Sequence, residues 1–331
     1  MAVHDRGGGT IRYLSRADVE RSAVSMLEVI EAVESAFRCK GHGRVELPPK
    51  TAVHPGGADS FIHAMPASIP EMGVVGVKWI AGYPQNRAHR APYINGLLIR
   101  SDPATGIPIA VMDATWITAV RTAAASAVSA RYLARTDSHS LAILGCGVQG
   151  LAHLEALRLA IGSLTTVHAF DPDELQAATL AAVARDQHGL QAVVAATPED
   201  AVRGSDVIVT AGPILREPHA TIRADWLAPG VFATAVDFDS YWDPEALAAL
   251  DMFTTDDVPQ LDHFRELGYF KAIPPITTDL GQLVTGAHPG RTSPGQRTMA
   301  CNLGVAIDDV AVGGRVLRAA ENRGLGVTVE L

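Results

Sequence analysis

Three glycines and one aspartate carry the most specific chemistry of this 331-residue chain. Gly145, Gly147 and Gly150 stand in LAILGCGVQG with G-x-G-x-x-G spacing. One glycine turns the chain tightly, one lets the backbone approach a pyrophosphate, and one packs helix against strand. The amides of Val148, Gln149 and Gly150 then open a helix whose dipole favours the negative phosphates. An apolar run, 141–144, precedes the turn, and Val148, Leu151, Leu154 and Leu157 follow at helical spacing. A second strand, predicted at 165–170, ends at Asp171, about 20 residues past Gly150, where a carboxylate binds the ribose hydroxyls of NAD. The same carboxylate would repel the 2′-phosphate of NADP, so NAD is the expected cofactor. Thr210 closes a strand predicted at 206–210 and is assigned to the same cofactor site.

Other residues point to a substrate. Lys78 interrupts the apolar run 74–80. Burying an ammonium is costly unless it is paired. Lys78 therefore either reaches solvent from a strand end or sits in a cleft to hold a carboxylate or carbonyl oxygen. Arg121 lies in ITAVRTAAASAVSA, a stretch otherwise small and uncharged. It either forms a structural salt bridge or clamps a substrate carboxylate with its planar fork. Asp239 follows the apolar run 231–236, at the strand edge where doubly wound sheets bind ligands. A carboxylate there could move an amine proton while hydride is transferred. Asp237 competes for that role, and either acid could simply cap a turn. His63 and Lys50 are weaker candidates, and Arg87, His89 and Arg90 read as a solvated loop. Neither the zinc spacing H-E-x-x-H nor a G-x-S-x-G elbow occurs. Cys39, Cys146 and Cys301 are too far apart to imply a disulfide framework or a metal pair.

These residues need a framework. From Ser138 onward strands and helices alternate, with strands expected at 141–144, 165–170, 191–194, 206–210 and 231–236. That pattern predicts a parallel sheet with helices on both faces. Before it, Ser25 and Glu28 have capping-box spacing ahead of a helix that Gly41 can stop. Short apolar runs from 51 to 112 predict an antiparallel sheet, with a hairpin around DPATG. A long helix is expected at 115–135, a final helix at 302–322 and a last strand at 324–331. The two chain ends are expected to pack together, with the nucleotide domain inserted between them. Net charge is −9 without a basic run, which argues against a nucleic-acid partner. No apolar segment suits a signal peptide or membrane span, so a cytoplasmic protein is expected.

Taken together, several motifs resemble the ornithine cyclodeaminase/μ-crystallin family over nearly the whole chain. They are MP at 65–66, GVKW around Lys78, P-x-N at 84–86 and TAVRTAAASA around Arg121. The glycine turn, GVFATAVDFD up to Asp239, PGR at 289–291 and GVAIDD at 304–309 complete the set. The resemblance implies an α/β fold in which a Rossmann-type doubly wound domain (126–301) is inserted in an α+β domain. That second domain (1–125 with 302–331) would bind substrate and dimerise. The resemblance implies further that Lys78 and Arg121 hold a carboxylate, that Asp239 handles the amine and its proton, and that Thr122 approaches the cofactor phosphates. Cyclodeaminases of the family carry glutamate where His63 stands and arginine where Lys50 stands. Their G-A-D-x-x-G-K stretch is D-F-D-S-Y-W-D here. These departures argue against ornithine and leave the cofactor site untouched. The expectation is an NAD-dependent oxidoreductase working at the α-carbon of a small amino or imino acid, as a homodimer. A redox-neutral, ammonia-releasing cyclodeaminase and a crystallin-like binding protein without turnover are the alternatives.

Overall fold

The computed structural model describes residues 9–55, 60–89 and 91–331. Arg90 and the first eight residues, where a signal peptide was sought, lie outside the described residues. The chain divides into two units.

The first unit takes residues up to 25, 44–118 and 306–331. Its strands are β1 (Thr10–Leu14), β2 (Thr51–Val53), β3 (Phe61–Ile69), β4 (Val74–Gly82), β5 (Ile94–Ser101), β6 (Pro108–Asp113) and β15 (Val327–Glu330). Two helices, α1 (Arg16–Arg21) and α10 (Ala306–Asn322), complete it. The sheet order is β15-β1-β6-β5-β4-β3-β2. The two chain ends meet here, because β1 pairs antiparallel with β15. The DPATG hairpin forms between β5 and β6, its turn closed by three hydrogen bonds to Oδ1 of Asp102. The sheet is mixed rather than purely antiparallel, since β1 runs parallel to β6.

Opposed residues in a ladder share a face. Lys78 stands opposite Met65 and Leu98, and Leu98 opposite Met112. All four are buried. Helix α10 covers this face, and a β-carbon on Gly313 would overlap the Leu98 side chain. The bare backbone thus allows close approach at that point.

The second unit takes residues 26–43 and 119–305. It contains α2 (Met26–Gly41) and α3 (Thr115–Leu133) from Ala119 on. Its alternating strands are β7 (Ser140–Leu144), β8 (Thr166–Phe170), β9 (Gln191–Val194), β10 (Val207–Thr210) and β11 (Phe232–Ala235). Helices α4 (Val148–Ala160), α5 (Glu174–His188) and α6 (Pro198–Val202) lie between them. Then follow α7 (Pro244–Ala248), β12 (Met252–Thr255), α8 (Val258–Glu266), β13 (Thr278–Asp279), α9 (Leu280–Thr285) and β14 (Thr298–Cys301). The eight strands are parallel, in the order β13-β12-β14-β11-β10-β7-β8-β9. The order reverses between β7 and β10, and ligands of doubly wound sheets bind beside that point.

Three features differ from the sequence expectations. Strands β12, β13 and β14 add to the five expected. The final helix starts at Ala306 rather than 302, because Gly304 has a φ of +76° that a right-handed helix cannot contain. The units divide after Ser25, Gly43, Thr118 and Val305 rather than at 125/126 and 301/302. Helix α2 therefore belongs with the nucleotide sheet: Gly41 touches Gly281 of α9, and Lys40 bridges Asp257 and Asp279 at 3.1 and 2.7 Å.

Candidate active site

The glycine turn follows β7 at the switch point. Gly145 has a φ of +98°, and a β-carbon there would lie 2.6 Å from the Ala211 backbone. A β-carbon on Gly150 would overlap the Gly145 carbonyl oxygen. Gly147, the N-cap of α4, has open space where its side chain would be. Asp171 accepts from the Cys146 amide at 2.8 Å and the Asp173 amide at 2.9 Å, so it braces the turn as well as ending β8. Val148 is exposed, and Oε1 of Gln149 is enclosed without a hydrogen-bond partner among the described residues. An open glycine at a helix N-terminus, an unused acceptor beside it and an acid at the next strand end fit a dinucleotide.

The different glycines give a direct test. Gly147→Ala adds a methyl group only to open space, so thermal stability should hold. NADH affinity should fall at least about tenfold, or 1.4 kcal/mol. Isothermal titration and a melting curve read the two effects, and unaltered NADH affinity would remove Gly147 from the cofactor site.

Thr210 does not offer its hydroxyl to a ligand. It is fully buried, donates to Oδ1 of Asp237 at 2.6 Å and accepts from Nε1 of Trp242 at 3.3 Å. The same geometry separates Asp237 from Asp239. Asp237 spends its second oxygen on the Gly212 amide, 2.9 Å away, and burial pushes its pKa up to about 7. It braces the end of β10. Oδ1 of Asp239 is buried without a hydrogen-bond partner among the described residues. Burial raises the Asp239 pKa, with the Phe270 amide and Lys271 only partly offsetting the effect. Asp239 also lines a cavity of about 280 Å³ with Trp242, Leu247 and Lys271. It is the available acid.

On α3, Arg121 and Thr122 are both buried. Arg121 lies against Gly304, whose β-carbon would overlap the guanidinium. The helix is tied to its neighbours by a buried chain. His153 donates from Nδ1 to the Gln149 carbonyl (2.7 Å) and accepts at Nε2 from Oγ of Ser126 (3.0 Å), and Ser126 bonds Thr234 at 2.9 Å. The cofactor helix, α3 and β11 are held in register by these contacts. Cys146, with burial pushing its thiol up to about 12, is inert filling within the turn.

In the first unit, Lys78 does not reach solvent. It is fully buried, with Nζ 2.7 Å from Oδ1 of Asp309 and 3.4 Å from Thr118. Lys50 is also buried. His63 stacks on Phe61 at 4.3 Å. Its pKa falls to about 2, first through burial and then through the charges of Lys50 and Lys78. Burial first, with the two lysine charges, keeps His63 neutral. Asp309 was missed by sequence reasoning, although an Asp-Asp pair in the apolar run GVAIDDVAV was a visible signal.

A model of the "Ornithine cyclodeaminase/mu-crystallin family" matches residues 12–323. The chain is 36% identical to the nodulation efficiency protein NfeD of Rhizobium meliloti over 321 residues, covering 96% of this chain and 98% of that one. Its fold matches Δ1-pyrroline-2-carboxylate reductase of Thermococcus litoralis, solved with NADH and L-proline. The TM-score is 0.87 at 28% identity, over 96% of this chain and all of that one. An archaeal alanine dehydrogenase dimer with bound NAD gives a TM-score of 0.86 at 31% identity, over 98% and 100% of the two chains. On this evidence and the motifs it carries, the chain belongs to the ornithine cyclodeaminase/mu-crystallin family.

Proposed function

We propose that this NAD-dependent enzyme interconverts a small α-imino acid and the corresponding amino acid. The observation that carries the reading is Asp239. It is a nearly buried carboxyl at the ligand-binding edge of the nucleotide sheet, with one oxygen unused and its pKa raised. NADH supplies hydride to the α-carbon when bound. The chain's own groups do the rest. Lys78 and Arg121, with Lys50, hold the substrate carboxylate by charge and hydrogen bonds. Asp239 gives a proton to the imine nitrogen, and takes it back in the oxidative direction. Thr122 and the amides of Val148, Gln149 and Gly150 hold the cofactor phosphates, and Asp171 its ribose. A cyclodeaminase must also accept the distal ammonium of a diamino acid. Neutral His63 stands where cyclodeaminases of the family carry glutamate and offers that ammonium no counter-charge, which supports net oxidation and reduction.

The test is a panel with NADH: Δ1-pyrroline-2-carboxylate, and pyruvate with ammonium. NADH oxidation matched by amino-acid product is the expected result. Ammonia released from ornithine or lysine without net NADH change would replace this reading with the cyclodeaminase. Binding of NADH with no turnover of either class would replace it with the crystallin-like reading.

The homodimer has its own support. Val53, Trp79, Leu97, Ile99, Tyr13 and Val329 share the sheet face opposite α10, and Trp79 and Leu97 are opposed in the ladder, 50% and 42% exposed. A continuous apolar face of this kind marks an interaction site, and the archaeal alanine dehydrogenase is a dimer. Light scattering that returned the mass of one chain at micromolar concentration would overturn it. Among the described residues no helix is long and apolar enough to cross a membrane. Cys39, Cys146 and Cys301 are buried thiols, which fits a reducing compartment such as the cytoplasm, and cell fractionation checks it.

A further inference from the structure

Gly304 lies between β14 and α10 and has two constraints on it. Its φ of +76° disfavours any side chain. A β-carbon there would also lie 2.8 Å from Nη2 and 2.9 Å from Cζ of Arg121. The guanidinium therefore rests against the bare α-carbon. Gly304 is itself anchored: its amide donates to Oδ2 of Asp256 at 2.7 Å, and Asp256 is fully buried. The nearest mobile group at this contact is the head of Arg121, so a methyl group on Gly304 displaces the guanidinium.

We infer that Gly304, fixed by Asp256, is a positioning residue that sets where Arg121 presents its fork to the substrate carboxylate. The inference rests on the reading of Arg121 as a carboxylate clamp. Bidentate recognition depends on the angle and reach of the fork, and a displacement of about 1 Å is enough to lose one of two parallel hydrogen bonds. Gly304 then acts on carboxylate affinity without touching the substrate. A merely structural glycine, needed only to leave β14 and enter α10, would act on the fold and spare that affinity.

The experiment is a double-mutant cycle on the full chain. Gly304→Ala is made in the wild type and in Arg121→Met. KM for Δ1-pyrroline-2-carboxylate and for pyruvate with ammonium is measured with kcat. NADH affinity is followed by fluorescence, and carboxylate affinity by quenching of bound NADH with L-proline and pyruvate. In the wild type, Gly304→Ala should raise KM or the quenching constant about tenfold, with NADH affinity unchanged. In Arg121→Met the same change should add less than about twofold, because coupled residues are not additive. An equal penalty in both backgrounds overturns the positioning role. Unchanged carboxylate affinity in Arg121→Met alone overturns the clamp reading instead. If Gly304→Ala does not fold, Asp256→Asn enters the same cycle. Its penalty must likewise vanish with Arg121→Met, and an undiminished penalty refutes the role.

Discussion

Asp239→Asn is expected to lower the rate of imine reduction by roughly 10²–10⁴-fold, the usual contribution of a positioned acid or base. Binding of NADH should stay within about twofold of the wild type, since the glycine turn and Asp171 are untouched. Asparagine keeps the size and one acceptor oxygen of the acid but has no proton to give. Burial raises the Asp239 pKa, which keeps more of the acid protonated near neutral pH than an exposed aspartate would be. The sign follows for each direction. Reduction needs the protonated acid, so its rate falls as pH rises through the Asp239 pKa. Oxidation needs the carboxylate, so its rate rises over the same interval. Stopped-flow and steady-state pH profiles in both directions read these limbs, and both should be missing in Asp239→Asn. A variant that keeps the limbs with unchanged turnover would leave Asp239 without a chemical role. Asp237→Asn, which alters only the brace at the end of β10, should keep both limbs.

The cofactor half of this arrangement was legible in the sequence because its chemistry is local. The β7–turn–α4 segment needs glycine at three places for three separate steric reasons, and each shows in one ten-residue string. Asp171 follows one strand later, within the same unit of supersecondary structure. The buried parallel strands from 141 to 235 also show, since apolar runs between helical segments have few other uses. What did not show depends on distance. Lys78 and Asp309 are 231 residues apart, and no periodicity links them. The Thr210 hydroxyl is taken by Asp237 and by Trp242, partners supplied by a different strand end and a loop. Helix α2 carries an ordinary amphipathic pattern, which says that it packs and not against what. Its place is decided by the contact of Gly41 with Gly281 and by the bridges of Lys40. The residues of DFD leave Asp237 a competitor of Asp239, and the hydrogen bonds of the two acids separate them.

The ion pair of Lys78 and Asp309 gives the largest expected effect on stability. Both side chains are completely buried. Asp309→Asn removes this counter-charge from an ammonium enclosed between β4 and α10. Breaking a buried pair from one side costs about 3–5 kcal/mol. Urea denaturation should show that loss in ΔG with an unchanged slope. Lys78→Met breaks the pair from the other side and should cost a similar amount, with loss of carboxylate binding in addition. The double change Lys78→Met with Asp309→Leu replaces the pair by apolar groups of similar bulk, and such replacements are often neutral or stabilising. It should therefore regain most of the lost stability while staying inactive. That divergence separates two uses of one lysine. If activity returned with stability, Lys78 would be a packing and pairing residue alone, and the carboxylate would need another holder. If stability returned without activity, the cost of burying this charge beneath α10 is met by Asp309, and the charge is kept there for the substrate.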